Sequence, residues 1–205
     1  ENPIKEMCER IWTLPYTLLD DMMISMQYAR NFAHGDGLVW MRGGQPIEGY
    51  TNFLWVLIMS LTHMLDISMP LRVVPMLFLG VVILVVNSLV VWWLAWELYE
   101  DTIIAELSAF FAAFYYPLVY WTLRGAEVGF LSLLTSIAVL LVLKHNRQQT
   151  YRSALMLAVV LSMAILTRSE SILLAGVIFF FMLIHAWRMK RIFKKSTILM
   201  ILLAG

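Results

Sequence analysis

Long uncharged apolar runs follow one another through the last two thirds of the chain. A helix needs about 20 apolar residues to cross about 30 Å of hydrocarbon, and it satisfies its own backbone hydrogen bonds there. Five such runs are evident, and a sixth starts near Ile198: 73–96, 103–123, 128–143, 154–166 and 172–187. The pattern therefore predicts an all-α, polytopic bundle of about five transmembrane helices and the start of a sixth.

The first third of the chain has a different pattern, in which apolar and polar positions alternate at helical spacing. The apolar positions are Met22, Met26, Ala29 and Ala33. This spacing predicts an amphipathic helix. Asp20 and Asp21 stand at its start, where carboxylates suit the helix N-terminus, and Gly35 and Gly37 mark its end.

Composition supports a membrane environment and narrows the chemistry. Hydrophobic residues make up 61% of the chain and charged residues 14%, and the mean hydropathy is +0.77, so the apolar surface needs lipid as its solvent. The net charge of +1 gives no basic field for nucleic acid. The single cysteine, Cys8, excludes an internal disulfide, and the four histidines match no metal-ligand spacing.

Loop charges predict the orientation of the bundle. Two short loops, at 144–152 and 188–195, hold eight of the fifteen Lys and Arg residues, so both should be cytoplasmic. Alternation then puts the acidic loop at 97–101 inside and the turns at 123–127 and 167–170 outside.

The apolar stretch at 53–65 is too short for a comfortable span and ends at Asp66. We expect it to lie at the outer surface, which leaves 1–72 as an extracytoplasmic loop with juxtamembrane helices and 73–205 as the transmembrane region. The chain begins at Glu1 and ends inside an apolar run, so we expect it to be a fragment of a larger protein.

Charged residues on the predicted outer side are candidates for chemistry. Asp20 and Asp21 could serve as a general base and its orienting partner, although local sequence alone favours a helix cap, because Asp is an ordinary N-cap residue. Two turns each carry an arginine and a glutamate beside apolar spans: Arg124 with Glu127, and Arg168 with Glu170. An ionisable residue costs about 2.5 kcal/mol or more at membrane depth, so each turn needs water, an ion pair or a ligand, and arginine suits a phosphate.

Several segments together resemble the GT-C glycosyltransferases, most closely the arabinofuranosyltransferase-like branch of bacterial cell-envelope enzymes. The match rests on DDMMISMQYARN at 20–31, GDGLV at 35–39 and EGYTNFLW at 48–55, with RGAE at 124–127 and TRSE at 167–170. Protein O-mannosyltransferases and lipid A aminoarabinose transferases are similar more distantly.

Three features depart from the pattern of that family. Met22 stands where a small residue is common, and Ser169 stands where proline is common. The segment 1–10 is too polar to be the first span of such an enzyme, so we expect that span to precede the chain.

The resemblance implies an enzyme of the bacterial inner membrane that moves a sugar from a polyprenyl-phosphate donor to a hydroxyl of a glycan, lipid or protein acceptor on the extracytoplasmic side. It implies that Asp20 is the catalytic base and that Asp21 supports it. The residues assigned to substrate contact are Arg30, Glu48, Tyr50, Arg124, Glu127, Arg168 and Glu170. No cofactor or metal site is predicted, and a divalent cation held by the two aspartates stays open.

Two other classes fit part of the pattern. A transporter or flippase of lipid-linked sugars would use the arginines as substrate anchors and the aspartates as a cation or proton site. A non-catalytic assembly subunit would need none of these residues for chemistry. The location of the polar groups in turns on one predicted side favours the enzyme.

Overall fold

The computed structural model describes residues 20–45, 47, 49–65, 73–148 and 150–188. In these residues the chain is all-helical, with eight α-helices. They are α1 Asp20–Ala33, α2 Phe53–His63, α3 Val73–Tyr99, α4 Thr102–Ala113, α5 Tyr116–Leu123, α6 Val128–Gln148, α7 Tyr151–Thr167 and α8 Ser171–Arg188. The apolar run near Ile198 lies outside the described residues.

Helices occupy all five predicted apolar runs. Among the described helices, α3 and α6 are long and apolar enough to cross a membrane, and α4 with α5 make a third candidate if that bent pair is one span. α7 and α8 are apolar but shorter, so their crossing of the bilayer stays a prediction. The described residues are thus all-helical, and two or three of their helices are long and apolar enough to span a membrane.

The run predicted as one span at 103–123 is interrupted at residues 114 and 115, between α4 and α5. Pro117 explains the interruption, because proline has no N–H for the carbonyl of Ala113 and its ring would clash with that carbonyl in a continuous helix. The N–H of Phe114 makes the closing bond of α4, to Phe110 O at 3.1 Å. Asp101 starts α4 by accepting the N–H groups of Ile103 and Ile104.

The chain divides into two compact units, Glu1–Leu84 with Tyr116–Gly129 and Val85–Tyr115 with Phe130–Gly205. In the first unit, α1 packs against α2. Tyr28, Val56 and Met59 are among its buried side chains, so the short apolar helix α2 is a packing partner of the amphipathic helix α1.

α1 buries Met22 and Ala29 as the spacing predicts, but it departs from the predicted separation at other positions. Asn31 is buried, and its amide donates to the carbonyls of Val39 and Trp40 at 2.7 and 3.0 Å. Met23 and Phe32 are exposed instead. Asn31 is buried because the following loop folds back over α1 and leaves two carbonyls that need a donor.

That loop, residues 34–52, is held close to α1 at both ends. It leaves the helix through Gly35 and Gly37, whose φ angles are +83° and +80°, a conformation that favours glycine. Near its far end, the hydroxyl of Tyr28 donates to Ile47 O at 2.9 Å. A Cβ atom on Gly49 would lie 2.5 Å from that hydroxyl, so glycine is what lets the loop pass over the ring.

Within the first unit, glycines let the first half of α3 and the start of α6 approach Thr122 of α5 closely. A Cβ on Gly80 of α3 would lie 3.0 Å from the carbonyl of Thr122, and one on Gly129 of α6 would overlap its side chain. Such close approach through glycine is the usual way in which helices pack in lipid.

In the second unit, α6, α7 and α8 share an apolar core. Its buried side chains include Leu141 of α6, Leu157 and Leu161 of α7, and Met182 of α8. A polar contact also crosses between α3 and α6, where Asn87 donates to Ser132 Oγ at 3.4 Å and accepts from Ser136 Oγ at 3.1 Å.

The last turns of α3 and α6 are joined by charged and aromatic side chains. Arg147 donates to Glu97 Oε1 at 2.6 Å and to its backbone carbonyl at 3.2 Å. Lys144 Nζ lies 3.7 Å from the centre of the Trp93 ring, a cation–π contact. Glu97, from the predicted acidic inner loop, therefore has a partner in the predicted basic inner loop.

Candidate functional site

Three segments that are far apart in sequence meet in a buried chain of hydrogen bonds. Ser25 Oγ of α1 donates to Asn52 Oδ1 at 3.0 Å, and Asn52 Nδ2 donates to Glu127 Oε2 at 3.1 Å. Only 3% of Ser25, 3% of Asn52 and 4% of Glu127 is exposed. The structure thus joins the predicted amphipathic helix, the start of α2 and the turn before α6. We call this set of three residues the Ser25–Asn52–Glu127 chain.

A second bond fixes the same turn onto α2. The indole N–H of Trp55 donates to the carbonyl of Gly125 at 2.8 Å, and both residues are buried. Gly125 has a φ of +85°, so the turn favours glycine at this position. Arg124 is half-buried beside it, with its guanidinium carbon 5.5 Å from the centre of the Tyr120 ring.

Aromatic side chains cluster around Tyr28 of α1, the helix that also carries Ser25. Tyr28 is buried, and the ring of Tyr50 meets it edge-on with centroids 5.0 Å apart. Trp40 lies on its other side at 5.8 Å and is partly exposed. Tyr50, a predicted substrate contact, is therefore half-buried and placed by packing against α1.

The aspartate pair lies in α1, the helix that carries Ser25. Asp21 is exposed and stands one helical turn before Ser25, whose hydroxyl is 3.5 Å from the Asp21 carbonyl. Asp20 is helical, but its side chain lies outside the described part of the structure, as does all of Glu48. The catalytic role of the pair therefore stays a prediction.

Arg30 is half-buried on α1. Its Nε is buried and has no hydrogen-bond partner among the described residues. A buried guanidinium N–H without a partner is uncommon and calls for an explanation such as a ligand or an ion.

Arg168 and Glu170 belong to the second compact unit, in the turn between α7 and α8. Arg168 Nε and a terminal nitrogen donate to the two carboxylate oxygens of Glu170 at 3.3 and 3.2 Å. This hydrogen bonding lowers the pKa of the Glu170 carboxyl, which therefore stays ionised to a lower pH than usual. The pair is the solvated ion pair that the sequence left as one alternative.

Asn52, Ser25 and Trp55 are the site residues that the sequence reasoning passed over. A polar signal was present, because Ser25 stands among apolar residues and Asn52 is the last polar residue before the apolar helix α2. It could not be interpreted without the long-range partner, Glu127. Among the described residues, no group of three or more His, Cys, Asp or Glu side chains could hold a metal ion.

No family model, curated protein or solved structure matches the chain.

Proposed function

We propose that the chain is part of a membrane glycosyltransferase of the bacterial inner membrane. It transfers a sugar from a polyprenyl-phosphate donor to an acceptor hydroxyl on the extracytoplasmic side, with inversion at the anomeric carbon. The acceptor is a hydroxyl of a glycan, lipid or protein of the cell envelope.

One observation carries this proposal. Three segments that resemble GT-C motifs lie in one compact unit: 20–31, 48–55 and 124–127. They are joined by the Ser25–Asn52–Glu127 chain and by the hydrogen bond from Trp55 to Gly125. Residues that serve one site are expected to meet in space although they are distant in sequence. A chance resemblance of three unrelated segments would not require them to meet.

In the proposed reaction, Asp20 accepts the proton of the acceptor hydroxyl as its oxygen attacks the anomeric carbon. The bond from that carbon to the donor phosphate oxygen breaks, and its electron pair leaves with the lipid phosphate. Asp21 supports the base. A cationic group such as Arg124 neutralises the departing phosphate, and Arg30 is a further candidate because of its unpartnered buried Nε.

The proposal predicts that Asp20→Asn in the full-length protein lowers transfer by at least about 100-fold, since the amide cannot take the proton. The measurement is formation of a glycosidic linkage in detergent, from polyprenyl-phosphate arabinofuranose and, in parallel, from polyprenyl-phosphate mannose. Asp36→Asn is the matched control, because Asp36 is a loop carboxylate of the same unit that pairs with Arg42 at 3.0 Å.

Asp36→Asn should leave the rate unchanged. Unchanged turnover in Asp20→Asn would remove Asp20 as the base. Vesicle-dependent movement of the lipid-linked sugar without a new linkage would instead identify a transporter.

A further inference from the structure

We infer that Glu127 is a positioning residue, which holds α1 and the start of α2 in register for transfer and does not touch the sugar. This inference rests on the proposed function and deepens it, because it replaces the substrate contact expected for Glu127 with a role inside the protein. The inference starts from the burial of Glu127, because only 4% of this residue is exposed.

The Ser25–Asn52–Glu127 chain has a fixed polarity. Asn52 Nδ2 donates to Glu127 Oε2, so the NH₂ group of the amide is turned to the carboxyl group. Its carbonyl oxygen then faces Ser25, whose hydroxyl must donate. The carboxylate therefore decides the orientation of the amide and, through it, the direction of the Ser25 hydroxyl.

The Ser25 hydroxyl, whose direction is set in this way, lies one helical turn after the aspartate pair. Ser25 follows Asp21 by four residues, a rise of about 6 Å at about 1.5 Å per residue, and its hydroxyl also lies 3.5 Å from the Asp21 carbonyl. Anchoring Ser25 to Asn52 fixes the rotation and height of the first described turn of α1. A misplacement of about 1 Å in a catalytic group can cost about 100-fold in rate.

A carboxylate suits this role better than a neutral group. A hydrogen bond from an amide to an ionised acceptor is stronger than one between neutral partners. Burial of such a charge is costly unless it is bonded. A substrate contact would need the carboxylate at an accessible surface, and the structure instead encloses it against Asn52.

The decisive experiment reverses the polarity of the chain. Asn52→Asp places two carboxylates about 3 Å apart, which is unfavourable, so we expect kcat to fall by about 10- to 100-fold while the donor KM changes by less than about twofold. Adding Glu127→Gln supplies an amide that donates toward position 52, and Ser25 can still donate to the new carboxylate. The double variant should therefore recover most of the lost kcat.

Ser60→Ala is the matched control, since Ser60 is a buried serine of α2 that donates to Leu57 O, within its own helix, at 2.6 Å. Its kcat should equal that of the unaltered protein. Thermal unfolding in detergent is recorded for all variants, so a rate loss is separated from a folding loss.

Two results would overturn the inference. One is a double variant no more active than Asn52→Asp. The other is a Glu127→Gln variant whose donor or acceptor KM rises with kcat unchanged, because that pattern belongs to a substrate contact. If the unaltered protein makes no glycosidic linkage, the proposed function fails. The unfolding midpoints of Asn52→Asp, Glu127→Gln and the double variant then decide whether the direction of these hydrogen bonds matters. A double variant more stable than Asn52→Asp would show that it does.

Discussion

At the scale of single residues, asparagine organises the buried polar contacts of this protein. Asn31, Asn52 and Asn87 are all buried, and each uses its amide differently. Asn31 donates to loop carbonyls, Asn52 links Ser25 to Glu127, and Asn87 of α3 bonds to serines of α6. Asparagine can do this because one short side chain both donates and accepts.

Gly49 offers a test of how tightly the loop closes over α1. A Cβ at this position would lie 2.5 Å from the Tyr28 hydroxyl, so Gly49→Ala should destabilise the protein by about 1–3 kcal/mol through overpacking. The unfolding midpoint in detergent measures this. Adding Tyr28→Phe removes the clashing hydroxyl and should make the penalty of the alanine smaller than it is alone.

Gly176→Ala is the control for that experiment. Gly176 lies within α8, where nothing stands within 4 Å of a Cβ atom. Alanine there should be neutral or should stabilise by about 0.5–1 kcal/mol, because glycine is unfavourable inside a helix. If Gly176→Ala lowered the stability as much as Gly49→Ala, the loss at Gly49 could not be attributed to the close contact with Tyr28.

At the scale of elements, the apolar runs predicted the helices well because hydropathy is a property of short segments. The runs at 73–96 and 128–143 became α3 and α6, which extend beyond them. The break between α4 and α5 was missed, although Pro117 was visible in the sequence. A count of apolar residues does not show that Pro117 lacks the backbone N–H that a continuous helix requires. The break could therefore be predicted only from the backbone chemistry of proline.

The contact of α3 with α6 predicts the effect of an Asn87 substitution. Asn87→Leu keeps the volume nearly constant but removes the bonds to Ser132 and Ser136, so it should destabilise the protein by about 0.6–1.7 kcal/mol. Denaturant unfolding in detergent gives the value. Leu89→Ala, at an exposed position of the same helix, should lower the stability by less than Asn87→Leu does. A larger loss for Leu89→Ala would exclude the polar contact as a determinant of stability.

At the scale of the whole molecule, the site was harder to predict than the fold. The aspartate pair and the arginine turns stand out in the sequence as charged residues beside apolar segments, and the resemblance assigns them roles that stay predictions. The Ser25–Asn52–Glu127 chain was not found, because its last link joins residues 75 positions apart. Periodicity reports neighbours within one helix and carries no information about such contacts.

The proposed orientation can be tested by cysteine labelling in intact cells. In a Cys8→Ser background, Thr51→Cys, Met64→Cys and Ser169→Cys should react with an impermeant maleimide, and Tyr151→Cys should react only after permeabilisation. All four described positions are exposed. The first two sites flank α2, so labelling of only one of them from outside would mean that α2 crosses the bilayer.

The long separation within the Ser25–Asn52–Glu127 chain also sets an order of events during biosynthesis. Asn52 precedes Glu127 by 75 residues, which takes about 4–15 s to synthesise at about 5–20 residues per second. For that interval the Asn52 NH₂ group lacks the Glu127 carboxylate and the Trp55 indole lacks the Gly125 carbonyl, the acceptors that they have in the folded structure. These two hydrogen bonds can therefore form only after the segment containing α3, α4 and α5 has been synthesised, so the site is completed late in biosynthesis.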